Sequence, residues 1–324
     1  MMPITTALHD SRNARAFADD VHYYLSLRPR QLPSRYLYDA LGSALFEAIC
    51  RLPWYRVTRA EQQLLETHGR EIFRRLDPLS TFAELGPGSG EKLAALIVSG
   101  RRRPGPLRVH LVDVSAAALD AASRLLGGLE DVTAIAHHGT YEVGLAEVGR
   151  RTRGSGRMLV LFLGSNIGNF DPPGADAFLR AIRSALVPGE ALLIGADLVK
   201  DERDLLSAYD DPLGVTAAFN RNLLLRINRE LGGDIDLDAF THRAIWNAAH
   251  SRVEMHLVSR KHQRITIPDA AFDFTIAEGE SIWTESSYKY QPAGIVSALT
   301  RAGFRLADQW VDDESGFALT LAEV

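Results

Sequence analysis

The chain has 324 residues, 46% of them apolar and 24% charged, which is enough for a large core and for two domains or one domain with an insertion. Its net charge of −5 argues against a nucleic-acid binder, which needs a basic face for the phosphates. Cys50 is the only cysteine, so no intramolecular disulfide forms, which suits a reducing cytoplasm; no apolar stretch has the length of a membrane helix, and Met1 to Asp10 lacks a signal pattern.

Residues 11–75 read as helical. Phe17, Val21, Tyr24 and Leu25 form one apolar stripe, and Leu41, Leu45, Phe46, Ile49 and Leu52 form another. Two aromatic segments interrupt them, one around Pro33 and Tyr38 and one at Trp54-Tyr55-Arg56. Tyrosines near helix ends are commonly packing residues with a hydrogen-bonded tip. Thr58 with Glu61 three residues later predicts a capping box for a helix running to about Arg75.

Thr81–Leu85 is a short apolar run that turns through Gly86-Pro87-Gly88-Ser89-Gly90 into a helix near Glu91–Val98. A strand turning sharply into a helix leaves the first helical N–H groups unpaired and outward-facing. Glycines there accept unusual backbone angles and let a ligand come close. The spacing is Gly-x-Gly-x-Gly, which an ordinary tight turn also satisfies. The next strand, Leu107–Val114, carries Asp113 near its end, where a carboxylate can accept both hydroxyls of an adenosine ribose. The pair reads as a nucleoside cofactor site. The loose glycine pattern favours S-adenosylmethionine (SAM) over NAD. Arg101-Arg102-Arg103 precedes Pro104-Gly105-Pro106 and reads as a solvated loop.

Alternation continues with strands at Val132–His137, Met158–Leu163 and Ala191–Ala196 and helices near Ala116–Leu126 and Asp176–Leu186, the latter capped by Asp171 before Pro172-Pro173. Nearly continuous apolar strands between helices predict a parallel sheet covered on both faces, with ligands at the strands' carboxyl ends. Residues 200–288 break the rhythm: helices around Leu205 and Phe219 precede strands at His242–Trp246, Arg252–Val258, Gln263–Ile267 and Phe272–Ile276. Phe304–Val311 and Phe317–Ala322 then form a hairpin across Asp312–Gly316. The predicted fold is α/β and Rossmann-like, a seven-stranded sheet with a C-terminal antiparallel hairpin as in SAM methyltransferases. Residues 58–199 and 289–324 form that domain. Residues 1–57 and 200–288 form a second α+β lobe for substrate, expected to lie over the cofactor.

Several stretches make the sequence similar to a known family: Tyr38-Asp39-Ala40-Leu41-Gly42-Ser43, Glu84-Leu85-Gly86, Leu163-Gly164-Ser165-Asn166-Ile167-Gly168-Asn169, Tyr209-Asp210-Asp211 and Thr284-Glu285-Ser286-Ser287-Tyr288-Lys289-Tyr290. With Asp197–Asp201 and Gly214–Asn222, they resemble the L-histidine Nα-methyltransferases of ergothioneine biosynthesis over nearly the whole chain. The resemblance implies trimethylation of histidine's α-amine to hercynine with SAM as the methyl donor. A monomer is expected because no exposed apolar repeat is evident, the single cysteine places the chain in the cytoplasm, and no metal is expected. It implies that Gly86, Gly88, Lys92, Asp113, Thr140 and Tyr141 hold the cofactor. Tyr55, Asn169 and Tyr209 would take the substrate's amine and carboxylate beside Gly164, with Tyr38 supporting through water. Glu285 and Ser287 would take the imidazole, with Met255 and Phe219 lining its pocket.

Two positions depart from the family pattern. Thr140-Tyr141 stands where an aspartate and an aromatic read adenine, and Arg56 replaces a second tyrosine. Two other readings therefore stay open: an N-methyltransferase for another amino acid, such as tryptophan or a histidine derivative, and a SAM-binding protein without turnover. From the residues alone, Glu285 is also compatible with an exposed strand, Asn169 with a turn cap, and Met255 and Tyr209 with plain packing.

Overall fold

A computed structural model describes residues 4–102, 105–152 and 156–324, with side chains from residue 14 onward except at 151 and 152. Arg103 and Pro104 of the basic loop lie outside the described residues, as do the first three residues of the segment searched for a signal. No described helix is long and apolar enough to cross a membrane.

The helical start contains α1 (Ile4–Ser26), the two-residue strand β1 (Arg30–Gln31), α2 (Ala40–Cys50) and α3 (Val57–Arg75). Then β2 (Leu79–Leu85), α4 (Glu91–Gly100), β3 (Leu107–Asp113), α5 (Ala116–Gly127), β4 (Val132–His138), α6 (Tyr141–Thr152), β5 (Arg157–Phe162), α7 (Pro172–Ala185) and β6 (Ala191–Asp197) alternate. Two helices follow, α8 (Glu202–Tyr209) and α9 (Val215–Leu231). After them come β7 (Phe240–Asn247), β8 (Arg252–Ser259), β9 (Gln263–Ile267), β10 (Phe272–Ile276) and β11 (Ser281–Tyr288). The chain closes with α10 (Pro292–Arg301), β12 (Arg305–Asp312) and β13 (Phe317–Glu323).

These elements form two compact units: Met1–Phe46, Leu205–Asn247 and Val253–Ser286 make one, and Glu47–Asp204, Ala248–Arg252 and Ser287–Val324 make the other.

The second unit holds a seven-stranded sheet in the order β12-β13-β6-β5-β2-β3-β4. Strands β2 to β6 pair in parallel, while β13 lies antiparallel between β6 and β12. This is the Rossmann-like sheet with a terminal hairpin expected from the sequence. Strand β2 has β3 on one side and β5 on the other, so the direction of strand addition reverses there. Ligands of open α/β sheets sit outside the carboxyl ends of the strands at such a reversal. One face packs through Val160, Phe162, Phe178, Ile182 and Ile194, all nearly inaccessible. Burial of each such side chain contributes roughly 2 kcal/mol. The Asp171 carboxylate caps α7 at the Gly174 N–H (2.9 Å) with two prolines in the first turn, as expected.

Helix α6 was not among the helices read from the sequence. Among its described side chains only Leu145 and Val148 are deeply buried, so the apolar strip they form is narrow. The capping box is a second difference. Helix α3 begins at Val57, and Arg56 at the cap position makes no side-chain cap bond. Glu61 is wholly buried and its carboxylate is engaged elsewhere, in charge-assisted bonds stronger than a cap contact.

The first unit is α+β. Its four-stranded sheet runs β1-β11-β8-β7, and β9 pairs antiparallel with β10. The sequence predicts no strand at Arg30–Gln31, yet β1 joins β11 in parallel (Arg30 opposite Ile282). A two-residue strand is too short to carry a period. Helix α9 supplies Phe219, Leu223, Leu224 and Ile227 to this unit's core.

Candidate active site

In the sheet unit the residues expected to hold the cofactor gather at the strand reversal. Gly86, Gly88 and Gly90 all have positive φ (77°, 54° and 81°), which only glycine adopts without strain. A Cβ on Gly86 would stand 2.8 Å from both the Asn166 amide nitrogen and the Tyr141 hydroxyl, so these two side chains already close over the turn. A Cβ on Gly88 would stand 3.3 Å from a Glu47 carboxylate oxygen. Asp113 ends β3, and its Oδ1 accepts the Ser115 N–H at 2.8 Å. Burial pushes its pKa up, against the backbone bonds that lower it. Tyr141 opens α6, and its phenol is pushed well above the usual range by burial and by Asp113. Thr140 is exposed, and its carbonyl accepts the Gly144 N–H in the first turn of α6.

Lys92 does not stand alone in the turn. Its Nζ lies 2.6 Å from Glu61 Oε2, and Glu61 is inaccessible to solvent. Both Glu61 oxygens accept the Gly164 N–H, at 2.9 and 2.8 Å. Desolvation lowers the Lys92 pKa, but Glu61 and neighbouring Cys50 and Glu84 outweigh it and leave a net rise. The carboxylate occupies space that a side chain on β6 would need: a Cβ on Gly195 would fall 1.8 Å from Glu61 Oε1. Glu84, last but one in β2, is fully buried with no partner for Oε2. Desolvation, with Glu61 and Asp113 adding and Lys92 opposing, pushes its pKa up to about 8.

The loop after β5 carries the next residues. Gly164 has φ +73°, and a short 3-10 turn, Asn166–Asn169, follows with Asn169 exposed at its end. A Cβ on Gly168 would meet the Tyr288 carbonyl at 2.7 Å and Ser287 Oγ at 3.4 Å, so the absence of a side chain there lets this turn pack on the end of β11. Ser287 is buried, and its Oγ accepts from Lys289 Nζ at 2.9 Å. Tyr55 is buried between α2 and α3. Exposed Arg56, the departure beside it, reaches the Glu314 carbonyl at 3.5 Å.

The other unit holds the remaining residues. Tyr38 and Phe219 meet edge-to-face, 5.5 Å between ring centres, and Phe46 packs against both. Phe219 and Met255 are almost fully buried, and the Met255 carbonyl accepts from the Thr284 hydroxyl. Glu285 is half-buried on β11, its carbonyl accepting from the Trp283 indole. Tyr209 ends α8, and its carbonyl lies 2.8 Å from His242 Nε2, while His242 Nδ1 lies 2.9 Å from the Asn220 amide. Burial pushes the His242 pKa down, so the neutral ring donates to Tyr209 and accepts from Asn220. Asp211 then takes the N–H groups of Leu213, Val215 and Thr216, which fixes the turn after Tyr209.

The structure thus groups Gly86, Gly88, Lys92, Asp113, Tyr141, Gly164, Asn169 and Ser287 in one unit and Tyr38, Tyr209, Phe219, Met255 and Glu285 in the other. Sequence reasoning missed Glu61, whose spacing from Thr58 concealed it as a helix cap. It also gave no role to Glu84, Asn166 or Lys289, although all three stand inside the motifs quoted above.

Two outcomes follow. Gly195→Ala should push Glu61 off Lys92 and Gly164, weakening cofactor binding at least about tenfold by titration calorimetry; unchanged affinity would remove Glu61 from the argument. Glu84 titrates at about 8 when folded and near the ordinary glutamate value of 4.5 when unfolded, so the folded chain holds an extra proton between these limits and wild-type stability falls as pH rises through them. Urea unfolding of Glu84→Gln should gain on wild type over that window, by at most about 1.4 kcal/mol per pH unit; parallel curves would contradict it.

A profile of the family described as "Histidine-specific methyltransferase, SAM-dependent" matches residues 17–324. The chain is 41% identical over 313 residues to the histidine N-alpha-methyltransferase of Mycolicibacterium smegmatis, covering 95% of each chain. It is 40% identical over 331 residues to the histidine N-alpha-methyltransferase of Mycobacterium tuberculosis, covering 99% of each. The ergothioneine biosynthesis protein 1 of Neurospora crassa is 28% identical over 270 residues, which cover 79% of this chain and 31% of that one. On this similarity, joined to the sheet and the glycine turn, the chain belongs to the SAM-dependent, histidine-specific methyltransferase family.

Proposed function

We propose that this protein methylates the α-amino nitrogen of L-histidine three times in succession, giving hercynine, the first step of ergothioneine biosynthesis. The observation that carries the reading is on β11: Glu285 and Ser287 stand two residues apart, an acid and a hydroxyl to match the two nitrogens of an imidazole. The names of the relatives support it.

The residues at the end of β2 fit SAM. The glycine turn leaves backbone bare where a Cβ on Gly86 would strike Asn166 and Tyr141, and buried Glu84 Oε2 has no protein partner. Gly86, Gly88 and Lys92 would hold its methionine end, Asp113 its ribose, and Thr140 with Tyr141 its adenine. Bound SAM supplies a methyl group already activated on a sulfonium. The protein's work is then orientation, which can remove several kcal/mol of barrier. In our reading Tyr55, Asn169 and Tyr209 hold the amine and carboxylate beside Gly164, supported by Tyr38. Hydroxyls and an amide do this without a fixed positive charge to oppose a sulfonium. Their light grip on nitrogen lets the mono- and dimethyl forms turn and react again. Glu285 accepts the imidazole N–H, Ser287 serves the other nitrogen, and Phe219 and Met255 flank the ring. Partners for both ring nitrogens disfavour apolar rings, which would leave buried polar groups unpaired. We further take the enzyme to act as a monomer in the cytoplasm; a dimer mass by sedimentation at assay concentration would correct the first point.

Incubation with SAM and L-histidine should give mass gains of one, two and three methyl groups, ending at the betaine. Glu285→Ala should lower kcat/KM for histidine about a hundredfold and narrow its preference over phenylalanine and tryptophan. Failure of wild type to methylate histidine while still binding SAM would overturn the substrate, and unchanged selectivity in Glu285→Ala would overturn the ring contact.

A further inference from the structure

Lys289 lies just beyond β11, and its side chain is wholly inaccessible. Its ammonium sits 2.9 Å from Asp197 Oδ2 and donates to Ser287 Oγ at 2.9 Å. The backbone around it is pinned: the Lys289 N–H donates to the Ser251 carbonyl at 2.7 Å and the Tyr290 N–H to the Asp197 carbonyl at 3.0 Å. Asp197 is also held at its N–H, which donates to Ser165 Oγ at 2.9 Å, and at Oδ1, where Lys200 Nζ lies 2.6 Å away. A buried lysine that only closed an ion pair with Asp197 would duplicate Lys200. Beyond the pairing with Asp197 that Lys200 also makes, Lys289 contacts Ser287.

We propose that Lys289 is a positioning and specificity-determining residue that turns Ser287 into a hydrogen-bond donor toward the substrate ring. This rests on the reading above that Ser287 meets the imidazole. A lysine ammonium can only donate, so one lone pair of Ser287 Oγ is committed to it. The cation polarises the hydroxyl, directs its proton away from Nζ and opposes a second N–H arriving on the same oxygen. The ring nitrogen that suits such a hydroxyl carries no proton. Glu285 is an acceptor when ionised and suits the N–H at the ring's other side. The pair therefore selects a neutral imidazole in one tautomer, and rejects rings that present two N–H groups or none.

The test is a double-mutant cycle on the full-length protein with Lys289→Met, Ser287→Ala and the double variant, assayed with L-histidine and with the two pyrrolylalanine isomers, each bearing C–H in place of one imidazole nitrogen. Lys200 stays on Asp197 in every variant, and SAM affinity and melting temperature report folding. Lys289→Met should raise KM for histidine about tenfold with kcat little changed, and cut the preference over the pyrrole lacking the acceptor nitrogen by a similar factor. The double variant should be no worse than Ser287→Ala, because the lysine acts through the serine. Lys289→Gln, which can accept as well as donate, gives the same readout should the methionine variant fold poorly. Lys289→Arg should restore the preference, since arginine also only donates. Unchanged ring preference in both neutral variants, or additive losses in the cycle, would overturn the proposal while leaving Ser287 as a ring contact. An unaltered preference in Ser287→Ala would remove the reading on which it rests.

Discussion

The cofactor end of the sheet depends on one buried carboxylate. Glu61 binds the Lys92 ammonium and the Gly164 N–H together, so it ties α3 to α4 and to the loop after β5. Removing one partner from such a pair strands a charge in a region without water, at a cost of about 3–5 kcal/mol. The surrounding sequence is shaped around it. Gly195 leaves β6 without a side chain where the carboxylate lies. Glu84 is the complement: close to the same charges, with no partner on one oxygen, it holds its proton to an unusually high pH.

The other unit works by shape more than by charge. Phe46 and Phe219 pack against Tyr38, leaving a tyrosine with two rotatable bonds held by rings on its flanks. Tyr209 is held differently, through its backbone. His242 takes its carbonyl and Asp211 caps the next turn, which fixes the end of α8. Both arrangements order the residue that carries the phenol.

What could be read from the sequence was whatever has a local cause. Gly86, Gly88 and Gly90 occupy positive φ because of the turn they themselves make, and Asp171 caps the helix that its own prolines begin. The alternation of strands and helices from Thr81 to Ala196 follows from apolar runs of strand length. What could not be read has a distant cause. Glu61 looks like a cap until Gly164 and Lys92 are brought to it, across 103 positions in the first case. Strand β1 is two residues long and exists because β11 lies beside it. Helix α6 has too few buried side chains to announce a period. Lys289 stood in a recognisable motif, but its meaning needed Asp197, a residue on a different strand of the fold.

The interleaving of the two units also sets an order on synthesis. Strands β2 to β6 and their helices are all present once residue 197 has been made, so most of the parallel sheet can assemble on the ribosome as it emerges. The first 46 residues cannot follow suit. Strand β1 waits for β11, and Arg30 meets its partner only when Ile282 is synthesised. Strand β13, lodged between β6 and β12, comes later still. The segment carrying α1 and β1 is thus among the last of its unit to find its place, and until then its apolar stripe of Phe17, Val21 and Leu25 must be kept from unsuitable company by solubility or by chaperones.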